Sequence, residues 1–257
     1  MRLEVPSTYT REDFDLGRVL SLKRSHTVSV VVPAQNEAAT VGAVCDVVRR
    51  SGAEGARFVD ELIVVNDHSQ DDTATVAQRH GARVIDLEGQ SGKGEAMAAG
   101  LAASNGSMVI FLDADVTTTT SDDVLRLAQP LLEDPNIALV KPYYRRPYLD
   151  MPTGGGRVTE LTARPILSLL FPGLGEVRQP LAGETAGRRE LFDEVGFAGG
   201  YAVEIALLID VLVRHGASAI AQVDLGVRRH RNRPLDELSP MATEVLRAAL
   251  TRHDRSH

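Results

Sequence analysis

Tryptophan is absent from this chain, aromatic residues make up 4% of it, and it has one cysteine, Cys45, in 257 residues. A single cysteine excludes an internal disulfide bond, the cross-link that typically stabilises small secreted domains. Cys45 falls within the apolar pattern of a predicted helix. We therefore expect it to be a small core residue rather than a nucleophile.

Segments that direct or anchor a chain to membranes are also missing. The first residues lack the pattern of a signal peptide, and no apolar run approaches the ~20 residues that a membrane-spanning helix needs. Internal repeats and low-complexity tracts are absent as well. These features predict a cytoplasmic protein of the ordinary globular kind, with no membrane partner.

The chain has no excess of positive charge, because its formal net charge is −7 at pH 7. This charge argues against a general nucleic-acid binder. Basic residues nevertheless outnumber acidic ones between Lys141 and Arg233, which suits a site for anionic small molecules. A solvated basic surface is the alternative interpretation.

Buried strands and helices alternate in the first half of the chain. TVSVVVPA, DELIVVND, ARVIDL, SMVIFLD and IALVKP predict strands. The intervening segments predict helices, one beginning near Asn36 and another with Ser69 as its N-cap. This alternation predicts an α/β fold, in which a mostly parallel sheet has helices on both faces.

The second half has a different pattern. The sequence predicts a helix from Arg157 to Leu170, a second helix in GGYAVEIALLIDVLVRHG and a strand in ASAIAQVDLG. The amphipathic segment LDELSPMATEVLRAALTRH predicts a C-terminal helix or an oligomer contact.

Three pairs of polar residues follow predicted strands: Asn36 with Glu37, Asn66 with Asp67, and Asp113 with Asp115. Ligands of open α/β sheets bind at the carboxyl ends of the strands, so we expect these pairs to meet in one crevice. An Asp-x-Asp sequence at a strand end supplies the oxygen ligands that Mg²⁺ and Mn²⁺ prefer. The alternative is a helix cap or turn.

Common nucleotide-binding fingerprints are missing. The turn after the first strand of the alternating pattern is PAQNEAAT, which contains no G-x-G-x-x-G, and LEGQSGKGEA does not match the phosphate-binding loop G-x-x-x-x-G-K-[ST]. Lys93 could still contact a phosphate from its glycine-flanked loop. A surface lysine at a helix start is an equally good interpretation.

Two later motifs are suited to binding anions. GGGRVTE places Arg157 and Thr159 beside glycine N–H groups at a helix start, an arrangement that captures phosphate or carboxylate. A flexible hinge is its alternative. In VRRHRNRP, His230 lies between arginines and could serve a metal and phosphate site, although a nucleic-acid tract is equally compatible with the pattern.

Taken together, these motifs resemble a known family. VVPAQNEAATV, LIVVNDHSQDDT, GKGEA and FLDADV look like the nucleotide-sugar half of GT-A glycosyltransferases, which have a Rossmann-like fold. VKPYYRRP, GGGRVTELTARP, QPLAGE, GYAVEIALLID and LGVRRHRNRPLDEL are similar to glucosyl-3-phosphoglycerate synthases. The resemblance runs from about Thr27 to Leu238, with the mannosyl-3-phosphoglycerate synthases as the nearest competitor.

The resemblance implies a role for each matching residue. A divalent metal, Mg²⁺ or Mn²⁺, would be bound by Asp115 and His230. Catalytic roles would fall to Asp115, Glu204 and Lys93. The nucleotide sugar would contact Pro33, Ala34, Gln35, Asn36, Glu37, Asp67, Lys93, Asp113, Ala114, Leu181, Tyr201, Ala202, Val203, Glu204, Arg228, Arg229, Arg231 and Arg233. The acceptor would contact Gly156, Arg157, Val158, Thr159 and Asn232.

The same resemblance implies a division of the chain. It comprises an N-terminal arm (residues 1–26), a nucleotide-sugar-binding half (27–141), an acceptor-binding and metal-completing half (142–233) and a C-terminal helix (234–257). We expect a homodimer that binds two small molecules, UDP-glucose and 3-phosphoglycerate, and no nucleic acid.

The expected reaction moves glucose from UDP-glucose to the 2-hydroxyl of 3-phosphoglycerate with retention of configuration. A mannosyl transfer from GDP-mannose is the first alternative, and a non-catalytic nucleotide-sugar-binding module is a remoter one. A sugar-nucleotide pyrophosphorylase would share the sheet but needs a glycine-rich loop where this chain has PAQNEAAT.

Overall fold

The structure, a computed structural model, describes residues 4–24, 26–53, 56–148, 151–228 and 234–255. Strands in these ranges are β1 (Ser7–Tyr9), β2 (Val28–Ala34), β3 (Gly52–Ala53), β4 (Ala56–Arg57), β5 (Glu61–Asn66), β6 (Arg83–Asp86), β7 (Met108–Phe111), β8 (Leu139–Arg145), β9 (Pro147–Tyr148), β10 (Met151–Gly154), β11 (Thr185–Arg188) and β12 (Ile220–Val227).

Helices in the same ranges are α1 (Leu16–Lys23), α2 (Val41–Arg49), α3 (Thr73–Arg79), α4 (Lys93–Ala103), α5 (Ser121–Glu133), α6 (Arg164–Leu170), α7 (Arg189–Val195), α8 (Val203–His215) and α9 (Leu235–Arg255). A π-helical turn, Thr159–Ala163, leads directly into α6. None of the described helices is long and apolar enough to cross a membrane.

The predicted α/β fold with a mostly parallel sheet is confirmed. Eight strands form one sheet in the order β1-β12-β8-β11-β7-β2-β5-β6. Its pairs are parallel except those of β11, which runs antiparallel to both β7 and β8. Strands β2, β5 and β7 are adjacent and parallel, so their carboxyl ends lie together at one edge of the sheet.

The sheet is buried on both faces because alternate strand residues point to opposite sides. Val30 and Val32 of β2 join one apolar cluster, which includes residues of α2 and α5. Val31, between them, joins a second cluster with residues of α4, α8 and α9. The predicted core position of Cys45 is confirmed, since it is fully buried and burial raises the pKa of its thiol to about 11.

Two sequence-based helix starts were wrong. Helix α2 begins at Val41 rather than near Asn36, because Asn36 has a left-handed φ of 57° that belongs to a loop. Asp72, not Ser69, is the N-cap residue of α3, since the Ser69 hydroxyl accepts the backbone N–H of Asn36 instead. The helix predicted from Arg157 to Leu170 is confirmed, with a π-helical turn, Thr159–Ala163, inside it.

The first and last elements of the described ranges are both packed on this core. Strand β1 extends the sheet by pairing with β12, and α1 packs against α5. Helix α9 contacts α8 and buries Val245, Ala248 and Ala249. The predicted C-terminal helix is therefore present and covers one face of the fold.

Candidate active site

A cavity of about 600 Å³ lies at the carboxyl ends of β2, β5 and β7. Most of the residues predicted for the site line it: Pro33, Ala34, Gln35, Glu37, Asp67, Lys93, Asp113, Ala114, Asp115, Gly156, Arg157, Val158, Thr159, Leu181, Tyr201 and Glu204. One or both members of each expected pair line it, namely Glu37, Asp67, Asp113 and Asp115, whereas Asn36 and Asn66 do not. The loop that follows β10, predicted to bind the acceptor, lines the same cavity.

Three loops form the wall of the cavity near β2 and β5. Asp67 is buried, and its carboxylate accepts the backbone N–H of Gly92 at 3.1 Å. The Gln35 side-chain amide donates to the Asp67 carbonyl at 3.0 Å and to the Ser91 hydroxyl at 3.1 Å. This network fixes the loops after β2 and β5 against the start of α4.

Asn36 is not among the cavity-lining residues, although the sequence predicted a nucleotide contact there. Its side-chain oxygen accepts the backbone N–H of Gln70 at 2.7 Å, and its own N–H donates to Ser69. Asn36 therefore joins the loop after β2 to the loop before α3. Its neighbour Glu37 does line the cavity.

A lysine between two carboxylates lies at the centre of the cavity. Lys93 Nζ is 2.7 Å from Asp113 and 2.9 Å from Glu204. Burial alone would lower the pKa of Lys93, but Asp113 and then Glu204 raise it above its usual value. The ammonium stays charged, and it offsets the repulsion between two carboxylates that approach the same point. Gly183 lets the pair form, because a Cβ there would collide with Asp113 and Lys93.

Asp115 differs from Asp113 in its surroundings. It is exposed, lines the cavity and lies two residues beyond Asp113 at the end of β7. An accessible carboxylate on a strand end fits a hard divalent cation that also takes oxygens from water and phosphate. No group of three or more His, Cys, Asp or Glu residues that could hold a metal occurs in the described ranges. The second expected ligand, His230, lies outside them.

The loop after β10, which the sequence predicted to bind the acceptor, forms the opposite wall. Gly156, with φ 77°, precedes Arg157, and Val158 and Thr159 follow at the start of the π-helical turn. A second guanidinium, that of Arg146, also lines the cavity, and the Arg146 carbonyl accepts the N–H of Gly155 at 3.1 Å. Two arginines on one wall make it suitable for an acceptor with several negative charges.

Arg228 occupies a different place from the one predicted. Its side chain is 2% exposed and does not line the cavity. The guanidinium pairs with Asp123 at 2.9 Å and with Glu184 at 3.2 Å. Two buried carboxylates need a cation, and this requirement holds Arg228 beneath the cavity rather than over a phosphate. Residues 229–233, which include Arg229, Arg231, Asn232 and Arg233, lie outside the described ranges.

Further ionisable groups are buried under the cavity floor. Lys141 is fully buried and donates to the Ala182 carbonyl and to the Thr185 hydroxyl. Burial lowers its pKa to about 8. Burial and the charge of Asp113 raise the pKa of Glu184, although Arg228 opposes the shift. The two hydrogen bonds of Lys141 connect β8 to the start of β11 beneath the cavity.

Sequence reasoning missed several lining residues: Ser91, Gly92, Ala96, Tyr144, Arg146, Gly183, Gly200, Leu238, Met241 and Glu244. Arg146 lies in the quoted motif VKPYYRRP, which pointed to the family but assigned this arginine no contact with a substrate. Leu238 of α9 ends the quoted motif LGVRRHRNRPLDEL, whereas Met241 and Glu244 lie outside every quoted motif. Ala202, the N-cap residue of α8, and Val203, its first residue, were predicted to contact the nucleotide sugar but are buried and do not line the cavity.

Comparisons with known proteins agree with this geometry. Residues 29–196 match the family described as glycosyl transferase family 2. Glucosyl-3-phosphoglycerate synthase of Mycobacterium tuberculosis is 47% identical over 97% of this chain and 81% of its own length. The enzyme of that name from Petrotoga mobilis is 38% identical over 92% of this chain and 76% of its own.

Solved structures of the mycobacterial enzyme superimpose closely. Its complex with Mn²⁺, UDP-glucose and phosphoglyceric acid has a TM-score of 0.89 at 46% identity, covering 98% of this chain and 89% of that chain. Its complex with Mn²⁺, UDP and glucosyl-3-phosphoglycerate has a TM-score of 0.88 at 45% identity, covering 97% and 88%. A third complex, with Mg²⁺ and UDP, has a TM-score of 0.89 at 45% identity, covering 97% and 87%.

Proposed function

This chain belongs to glycosyl transferase family 2 and, within it, to the glucosyl-3-phosphoglycerate synthases, and on that premise we propose the reaction that it catalyses. It transfers glucose from UDP-glucose to the 2-hydroxyl of 3-phosphoglycerate, giving glucosyl-3-phosphoglycerate with retention. The observation that carries the proposal is one cavity lined by the loops after β2, β5 and β7 and by the arginine-bearing acceptor loop.

The donor would bind along the strand ends. The loop from Pro33 to Glu37 and the carboxylate of Asp67 would face the base and ribose. Asp115 and, by family resemblance, His230 would hold Mg²⁺ or Mn²⁺ against the diphosphate. When bound, the metal neutralises charge on the leaving diphosphate as a Lewis acid.

The acceptor would lie against the opposite wall. Arg157 and Arg146 match the phosphate and carboxylate of 3-phosphoglycerate in charge, and the N–H groups at the start of the π-helical turn add hydrogen-bond donors. This wall would hold the 2-hydroxyl beside C1 of the glucose, so that orientation supplies part of the rate enhancement.

Glu204 is better suited to binding sugar hydroxyls than to attacking C1. Its carboxylate is paired with Lys93 at 2.9 Å, and a carboxylate held in an ion pair is a weaker nucleophile. We therefore propose a same-face displacement. The acceptor oxygen forms the new bond to C1 as the bond to the diphosphate breaks, and a leaving-phosphate oxygen takes the hydroxyl proton.

One assay tests the proposed function. Purified protein with Mg²⁺ or Mn²⁺ should release UDP from UDP-glucose quickly only when 3-phosphoglycerate is present. A non-catalytic binding module would release no UDP under either condition. Rapid release without the acceptor would indicate a hydrolase and would overturn the assignment.

Donor preference is the first testable consequence. We expect kcat/KM for UDP-glucose to exceed that for GDP-mannose by at least about tenfold, or roughly 1.4 kcal/mol. Glucose and mannose differ at C2, and a site built for one epimer leaves polar groups unpaired around the other. Competition between both donors at saturating 3-phosphoglycerate measures the ratio. Excess mannosyl product would assign the chain to the mannosyl synthases, an alternative that the comparisons do not favour.

Two further parts of the proposal are the oligomeric state and the cellular location. We propose a homodimer, supported by exposed leucines on adjoining helical segments: Leu161 and Leu169 are 77% and 79% exposed, and Leu250 of α9 is 49% exposed. Sedimentation velocity measures the mass directly, and a monomer at assay concentration would contradict the proposed homodimer.

We also propose a cytoplasmic location, supported by the single, unpaired cysteine.

A further inference from the structure

A turn of two glycines and a tyrosine, residues 199–201, precedes α8 at the cavity wall. Gly200 has a φ of 68°, a left-handed conformation that residues with a Cβ rarely adopt. Tyr201 is 46% exposed, and Glu204 follows one helical turn later on α8. The conformation of this turn therefore determines where the Tyr201 and Glu204 side chains lie in the cavity.

Two carboxylates from distant parts of the chain accept the backbone N–H groups of the turn. Glu95 of α4 accepts from Gly200 at 3.4 Å, and Glu244 of α9 accepts from Tyr201 at 3.1 Å. The second distance falls within the usual range of an N–H···O hydrogen bond, whereas the first lies beyond it. Glu244 is thus the stronger of the two attachments.

Helix α4 also approaches the chain closely just before the turn. Gly94 has no room for a side chain, because a Cβ there would collide with the carbonyl of Ala198. The second glycine of the GKG motif therefore permits contact between α4 and this segment. The same helix start presents Lys93 to Glu204, so the turn is fixed to the residues that form the centre of the site.

The C-terminal helix reaches the cavity through one face. Leu238, Met241 and Glu244 line the cavity and follow one another at three-residue spacing, which places them on one side of α9. A carboxylate beside a cavity for anionic ligands is electrostatically unfavourable for their binding, so its position there calls for a separate, structural role. Accepting the Tyr201 N–H is such a role, since it uses the negative charge to hold the backbone.

We propose that Glu244 is a positioning residue for the hexose of the donor, acting through the backbone of Tyr201. The C-terminal helix is thereby part of the donor site and not only a cover for the core. This inference rests on the proposed function, because UDP-glucose is the ligand whose sugar would meet Tyr201 and Glu204. UDP alone, which has no hexose, would not depend on the turn.

Three variants test the proposal. Glu244→Ala removes the acceptor, and Glu244→Gln keeps an oxygen that can accept the same N–H. Asp254→Ala removes an equal charge from an exposed position of α9 and serves as the control. The measurements are the dissociation constants of UDP-glucose and UDP by calorimetry, and the hydrogen exchange of the Tyr201 amide by NMR.

We expect Glu244→Ala to weaken UDP-glucose binding about tenfold, as expected for a lost hydrogen bond to a charged group, and to change UDP binding by less than about twofold. The Tyr201 amide should exchange faster in this variant. Glu244→Gln should retain most of the UDP-glucose affinity, and Asp254→Ala should behave as the wild type.

Two results would overturn the proposal. Wild-type exchange of the Tyr201 amide in Glu244→Ala would show that the carboxylate does not hold the turn. Faster exchange with unchanged UDP-glucose affinity would show that the turn does not position the hexose. If the wild type binds no UDP-glucose, the proposed function fails and the role in hexose positioning falls with it, and the exchange measurement still decides whether Glu244 holds the turn.

Discussion

Replacing Asp115 with asparagine should reduce kcat by about a thousandfold or more, which corresponds to roughly 4 kcal/mol of lost transition-state stabilisation. The change removes a charged ligand of the proposed metal, and the departing diphosphate would lose its neutralising partner. Asp115 is exposed, so the free energy of unfolding should change by no more than about 0.5 kcal/mol. UDP release and urea unfolding measure the two quantities.

A matched control lies near Asp115 in the sequence. Asp122→Asn makes the same chemical change at an exposed position in the first turn of α5, and it should retain nearly full activity. His230→Ala should resemble Asp115→Asn if the family resemblance assigns the second ligand correctly. EDTA should abolish turnover of the wild type, and added Mn²⁺ or Mg²⁺ should restore it. Full activity of Asp115→Asn in metal-free buffer would refute the metal assignment.

Most strands of the sheet could be predicted because each of them is an apolar run that is recognisable in the sequence. The apolar runs of β2, β5 and β7 contain residues for both faces of a buried sheet, and this pattern needs no knowledge of tertiary contacts. Strand β11 was missed for the opposite reason. Its four residues, TAGR, have weak β-propensity, and pairing with β7 and β8 on its two sides makes them a strand.

Some residues of the site could likewise be predicted from the sequence, and others could not. Glu37, Asp67, Asp113 and Asp115 could be placed because parallel strands bring their carboxyl ends together whatever the loop details. Arg228 could not, because a basic run in sequence is typical of an exposed surface. Its partner Asp123 lies more than a hundred positions earlier in the chain.

The contribution of the C-terminal helix was also outside the reach of the sequence. The amphipathic pattern of α9 indicates which face is buried, but the same pattern fits packing against the core or against another subunit. Leu238, Met241 and Glu244 line the cavity because α9 contacts the turn before α8, and that contact depends on the tertiary arrangement.

Arg157 is expected to matter to 3-phosphoglycerate far more than to UDP-glucose. It lines the acceptor wall between Gly156 and the π-helical turn, where its guanidinium would pair with an anionic group of the acceptor. Losing a charge-assisted pair costs on the order of 2–4 kcal/mol, or roughly 30- to 1,000-fold. Arg157→Ala should lower kcat/KM for 3-phosphoglycerate by that factor.

Two controls, UDP binding by Arg157→Ala and the kinetics of Arg164→Ala, show whether the loss is specific to the acceptor and to Arg157. UDP binding by Arg157→Ala should remain within about twofold of the wild type, because the nucleotide would lie on the opposite wall. Arg164→Ala removes an arginine seven residues later that is paired with Glu160 on the surface, so its kinetic constants should stay close to those of the wild type. Asn232→Ala, at another residue that family resemblance assigns to the acceptor, should share the acceptor-specific loss. Equal losses for acceptor and donor in Arg157→Ala would instead assign the GGGRVTE loop a folding role, because a misplaced wall would impair both substrates together.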